Sequence, residues 1–108
     1  DKEIKLFTQT QNNLRLNNVY NFPNPFSNFT QFAFEINQNA TIKIDIYTIG
    51  GRKIISFNKN NISAGYHTIN WNGLDAFGGK IANGIYIYRI KANGESSTTS
   101  HIGRCAKY

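Results

Sequence analysis

Few side chains in this sequence are able to do chemistry. There is one cysteine, Cys105; the histidines are His67 and His101; the carboxylates are Asp1, Glu3, Glu35, Asp45, Asp75 and Glu95. A thiol nucleophile needs an imidazole within hydrogen-bond reach. His101 precedes Cys105 by four residues, about 13 Å along an extended strand, which is too far for a proton relay. His67 alternates with Ile69 and Trp71 and so shares their apolar face as a packed histidine. Glu35 and Asp45 fall on the polar phase of alternating segments and are expected as solvated surface charge. Asn70, Asn72 and Asp75 gather oxygens in one short loop, but a calcium loop draws on several spaced carboxylates. Asn72-Gly73 already reads there as a turn. The expectation is no catalytic residue, no metal site and no cofactor site.

Charge narrows the classes further. Twelve Lys and Arg against six Asp and Glu give +6 at neutral pH. The cations are dispersed, and only Arg52-Lys53 are adjacent. A groove that tracks phosphates needs clustering, so no nucleic-acid partner is expected. Tyr86-Ile87-Tyr88-Arg89-Ile90-Lys91 interleaves aromatics with cations, but alternating tyrosines in a sandwich strand belong to the core. No apolar run reaches the roughly 20 residues of a membrane-spanning helix. The chain begins at Asp1 without a basic-then-apolar leader, the form of a module cut or processed from a longer protein.

The elements that must position these residues read as strands throughout. Residues 31–36, 41–47, 53–57, 67–71 and 84–90 alternate or run apolar, with a last strand over 101–106. Phe32, Phe34 and Ile36 share one face, as do Ile42, Ile44 and Ile46. The segment 84–90 is apolar on both faces and is expected as a central, doubly covered strand. Gly50-Gly51, Ser63-Ala64-Gly65, Asn72-Gly73, Gly78-Gly79 and Asn93-Gly94 punctuate the runs as turns. Pro23 and Pro25 confine the stretch before the next strand to extended or polyproline geometry. The pattern predicts an all-β, Ig-like antiparallel β-sandwich of about seven strands, with Phe32, Phe34, Ile42, Ile44, Ile46, Trp71 and Tyr86 in one core. Residues 1–17 are expected as a linker or the end of a preceding domain, with a short edge strand at Ile4, Leu6 and Thr8; residues 18–108 form the domain. The polar stretch Asn93–Ser100 is read as a hairpin loop before the last strand, one that allows that strand to move.

Four ordered motifs carry a resemblance. Asn21-Phe22-Pro23-Asn24-Pro25-Phe26 resembles the opening of C-terminal modules of proteins exported by the bacterial type IX secretion system. Ile42–Arg52 is similar to that family's strand and Gly-Gly hairpin. Gly65–Asp75, with Trp71 and Gly73, and Gly78–Ile90, with Gly84 and Tyr86, resemble its following segments. The same pattern resembles the flagellar-hook-cap type of Ig-like domain, and the secretion module of gingipain-like cysteine peptidases and the related sortase. Asn72 stands where the family often carries Asp.

The resemblance implies a non-catalytic domain that targets a parent protein, such as a cysteine peptidase, for export and cell-surface attachment. Its partners would be the translocon and outer-membrane shuttle or sortase proteins, met in the periplasm on the way to the surface. The sorting signal would lie in the last strand. Ile102 is expected to anchor it on the core, Gly103 to allow close backbone approach, and Arg104 and Lys107 to stay solvated. Deleting residues 101–108 is expected to leave the sandwich folded. Its uncovered edge also allows self-association. The competing class is a structural Ig-like spacer, or a carbohydrate- or protein-binding module of a larger secreted enzyme.

Overall fold

A computed structural model describes residues 13–108. Seven strands follow one another: β1 (Leu16–Phe22), β2 (Thr30–Ile36), β3 (Ala40–Thr48), β4 (Lys53–Ile62), β5 (Gly65–Trp71), β6 (Gly84–Asn93) and β7 (Thr98–Lys107). They form a three-stranded sheet, β1-β2-β5, and a four-stranded sheet, β4-β3-β6-β7, with antiparallel neighbours throughout. The alternation seen in the sequence sets the faces. Phe32, Phe34 and Ile36 of one sheet and Ile42, Ile44 and Ile46 of the other are buried in the layer between, together with Trp71, Tyr86, Tyr88 and Ile90. The fold is the expected all-β, Ig-like sandwich.

Several expectations are corrected. Leu14 is buried and Leu16 opens β1, so folded structure begins before the expected boundary at residue 18. The expected strand at Ile4, Leu6 and Thr8 lies outside the described residues. The Phe22-Pro23 and Asn24-Pro25 peptide bonds, on which the sequence carried no expectation, are cis. β6 is central, between β3 and β7, but covered on one face only: Tyr86, Tyr88 and Ile90 point in, while Ile85 is exposed and Ile87 half-buried. Asn93 ends β6 and Thr98 opens β7, with Asn93 paired to Thr98, Ala92 to Thr99 and Lys91 to Ser100, so the expected hairpin loop narrows to residues 94–97. Gly94 N–H donating to Ser97 O closes that loop as a tight hairpin.

Asp45 is the clearest reversal. It lies on the outer face of its sheet, as its phase requires, yet it is 1% exposed. Ser56 and Arg89 are its direct neighbours on the flanking strands. The Ser56 hydroxyl donates to its Oδ1, the Arg89 guanidinium lies 3.2 Å from Oδ2, and Lys53 Nζ lies 3.6 Å from Oδ1. A central strand lets longer side chains close over a short one. Across the other sheet, the Tyr20 and Tyr66 hydroxyls hydrogen-bond to each other, and Ala33, between their strands, has no exposed surface.

Candidate functional site: the last strand and its clasp

The segment Pro23-Asn24-Pro25-Phe26 leaves β1 and crosses to the outer edge of β7. The Asn24 carboxamide binds that edge as a strand residue would: Nδ2 donates to Arg104 O and Oδ1 accepts from Ala106 N–H, both at 3.0 Å. Phe26 continues the pairing, its N–H donating to Ala106 O and its carbonyl accepting from Tyr108 N–H, each at 2.9 Å. Pro23 O accepts from the buried Thr30 hydroxyl at 2.7 Å and ties the segment back to β2. The two prolines supply no N–H and leave the pairing to Asn24 and Phe26.

Phe26 then plugs the end of the sandwich. Its ring is 5.3 Å from Trp71, whose indole N–H donates to Leu74 O at 2.9 Å. Gly73 makes room for it. A Cβ at that position would lie 3.1 Å from the Phe26 ring, and its φ of +73° favours glycine. Lys107 closes the cluster, bridging Phe26 in parallel and pairing with Gly84 across the sheet. Tyr86 O–H donates to Ala82 O at 2.6 Å and fixes the loop that leads into β6. Motif residues far apart in sequence thus meet at one end of one strand.

β7 is divided by this clasp. In an antiparallel strand, alternate residues direct both backbone polar groups to opposite edges. The groups held by Asn24 and Phe26 belong to Arg104, Ala106 and Tyr108. Thr98, Ser100 and Ile102 therefore face the same way, toward an edge where the sheet ends. Among the described residues, the C-terminal half of the edge is occupied and no strand pairs with the N-terminal half.

The expected sorting residues separate accordingly. Ile102 does not anchor the strand; it is 66% exposed on the outer face. Its phase is opposite to that of Gly103 and Cys105, which point into the core. A Cβ on Gly103 would lie 2.5 Å from the Tyr88 ring, so the close approach here is of a side chain onto the strand. Arg104 is exposed and points outward with Ile102, while Lys107 sits at the clasp. Deleting 101–108 would strip Cys105 from the core, uncover Tyr88 where Gly103 lies on it, and deprive Phe26 of its partners. These contacts argue that such a truncation destabilises the sandwich.

The chemically capable residues are held in structural roles. Cys105 is 1% exposed, and burial pushes its thiol up to about 12. His101 lies with its ring 6.2 Å from Tyr88, and His67 stacks on Phe34 and bonds Ser63 O at 2.7 Å. Asp75 Oδ1 accepts from Phe77 and Gly79 N–H, and Asn72 Oδ1 from Leu74 N–H, so these oxygens shape their own loop. Burial alone would raise the Asp45 carboxyl. Hydrogen bonds from Ser56 and Arg89, with the charges of Lys43 and Lys53, outweigh that and hold it below its ordinary value.

Sequence reasoning missed both the clasp and the gathering of dispersed cations. Asn24 was legible only as part of a motif, because its partners lie some 80 residues away. The cation pattern was readable from phase: Lys43, Arg89, Lys91 and Arg104 all occupy outward positions of neighbouring strands.

The fold has relatives among solved structures. Dimeric latent PorU from Porphyromonas gingivalis aligns with a TM-score of 0.74 at 22% identity, covering 88% of this chain and 9% of that one. PorZ from the same organism, described as an essential surface component of the type-IX secretion system, aligns at 0.56 and 22%, covering 84% of this chain and 11% of that one. FlgD from P. aeruginosa aligns at 0.62 and 15%, covering 74% and 67%. The chain therefore spans about a tenth of PorU and PorZ. Comparison with curated protein sequences finds no match. Residues 24–96, more than half of the chain, match the family model described as FlgD Ig-like domain, and the chain belongs to that family.

Proposed function

We propose that this domain is a non-catalytic module that addresses a parent protein to the type IX secretion system, and that the open half of the β7 edge is the element the translocon reads. The observation that carries the reading is the division of β7. Its clasped half is held by the Asn24 carboxamide and Phe26, while Thr98, Ser100 and Ile102 face an edge that no other described strand pairs with. A receptor serving many cargoes must read something they share, and strand addition to an edge tolerates side-chain variation. The motif resemblance supports the pathway assignment, and the alignments with PorU and PorZ support the shared architecture. The parent passes through the periplasm and ends at the cell surface, where shuttle or sortase proteins act on it. Ile102 and Arg104 flank the edge on its outer side and add specificity.

The test is a fusion of residues 1–108 behind a periplasmic reporter in a bacterium that has this secretion system. Surface-exposed reporter is the expected result, and reporter retained in the periplasm would overturn it. A second reading, a carbohydrate-binding spacer, draws on the exposed Tyr20, Phe22 and Tyr66 of the three-stranded sheet. It predicts retention in that experiment and retardation of the domain in gels containing neutral polysaccharide.

A further inference from the structure

The charge of the molecule is unevenly divided between its sheets. The strands of the four-stranded sheet carry Lys43, Lys53, Lys59, Arg89, Lys91, Arg104 and Lys107 against a single carboxylate, Asp45. The strands of the three-stranded sheet carry no Lys or Arg and one carboxylate, Glu35. The inward burial of Ile42, Ile44, Ile90, Ala92 and Cys105 turns Lys43, Arg89, Lys91 and Arg104 onto one outer face. Lys43 is directly opposite Lys91, and Lys53 reaches the same face to touch Asp45.

Neutralisation on this face is incomplete. Asp45 is enclosed by Ser56, Arg89 and Lys53, so the one carboxylate is already engaged and offers nothing to Lys43, Lys91 or Arg104 beyond its field. Paired cations on neighbouring strands repel, at a cost to the fold when unoccupied. Arg89 Nε has no hydrogen-bond partner among the described residues. Between the cations stand Ile85 and Ile102, 49% and 66% exposed, with half-buried Ile87 and Tyr47.

We infer that the outer face of the four-stranded sheet docks on an anionic lipid surface. Two features select lipid over other anions. A fluid bilayer supplies negative charge continuously and needs no register with cations fixed by strand pairing. Its headgroup layer also receives projecting apolar side chains such as Ile85 and Ile102, which a soluble polyanion would leave in water. The inference concerns the sheet's outer face and the export reading the backbone edge of β7; Ile102 and Arg104 border both, and vesicle binding by the isolated domain reads the face alone.

The experiment is co-sedimentation of the domain with vesicles of phosphatidylglycerol and phosphatidylcholine, and with phosphatidylcholine alone. Binding to the anionic vesicles only, weakened by salt, is expected. The triple variant Lys43→Gln, Lys91→Gln, Arg104→Gln should bind on the order of 100-fold more weakly, from the contribution of each cation near such a surface. Arg15→Gln, Lys59→Gln, Lys80→Gln removes equal charge elsewhere and should lose far less. Circular dichroism checks that both remain folded, and Arg104→Gln alone, at an exposed position, should still weaken binding if the triple variant does not fold. Equal losses in the two triple variants would reduce the effect to net charge and overturn the assignment. Absence of binding to anionic vesicles would also overturn it, as would tighter binding to heparin than to vesicles.

Discussion

At the scale of single residues, β7 is governed by what cannot be added to it. Any side chain at Gly103 meets the Tyr88 ring at 2.5 Å, and Tyr88 is itself buried in the core. Gly103→Ala should therefore destabilise the domain by about 1–3 kcal/mol, the range for overpacking, measured by chemical denaturation. An unchanged denaturation midpoint would show that the ring moves aside without cost. Cys105 gives a complementary readout. With its thiol buried and pushed up to about 12, it should resist a thiol reagent at pH 8 in the folded protein and react fully in denaturant. Asp45 sets the acid response. Its folded-state pKa lies below the ordinary 3.8, so its contribution is fully present above that value and is lost as pH falls through the folded value. Stability should thus decline below about pH 4, and Asp45→Asn should be less stable than the native domain at pH 7 and flatten this decline.

At the scale of elements, sequence made the strands legible and left their partners hidden. Period-2 alternation identified Phe32–Ile36, Ile42–Ile46 and the inward Tyr86 and Tyr88, because burial on one face writes itself into neighbouring residues. It did not reveal that Asn24 pairs with Arg104 and Ala106, since such contacts depend on the whole fold. Ile102 was misread because hydrophobicity alone suggested an anchor, whereas the phase of Gly103 and Cys105 decides which way the strand faces. Asp45 was misread because polar phase signals an outer face and says nothing about flanking side chains long enough to cover it. Asn24→Ala removes two hydrogen bonds from the clasp and should cost about 1–2 kcal/mol. Along β7, Ser100→Pro deletes an N–H that faces the open edge and should change stability little, as edge prolines do. His101→Pro, one residue on, deletes an N–H directed at β6 and should be markedly destabilising in the same denaturation assay. Equal effects would show that the two edges are not distinguished as the register implies.

At the scale of the molecule, the two sheets have divided roles. The shared core holds them together through Trp71, which packs against Phe26 and Phe32. Trp71→Ala should cost about 3–5 kcal/mol and loosen the clasp with the core. The four-stranded sheet carries both the cationic face and the half-open edge, while the three-stranded sheet is nearly uncharged. The central claim is that the open edge is the element read during export. The direct test is the surface-accessible fraction of a fused reporter for the native domain and for Ser100→Pro, with folding of both confirmed by denaturation. The native fusion should reach the surface while the folded Ser100→Pro fusion stays in the periplasm. Equal surface display of the two would contradict the claim.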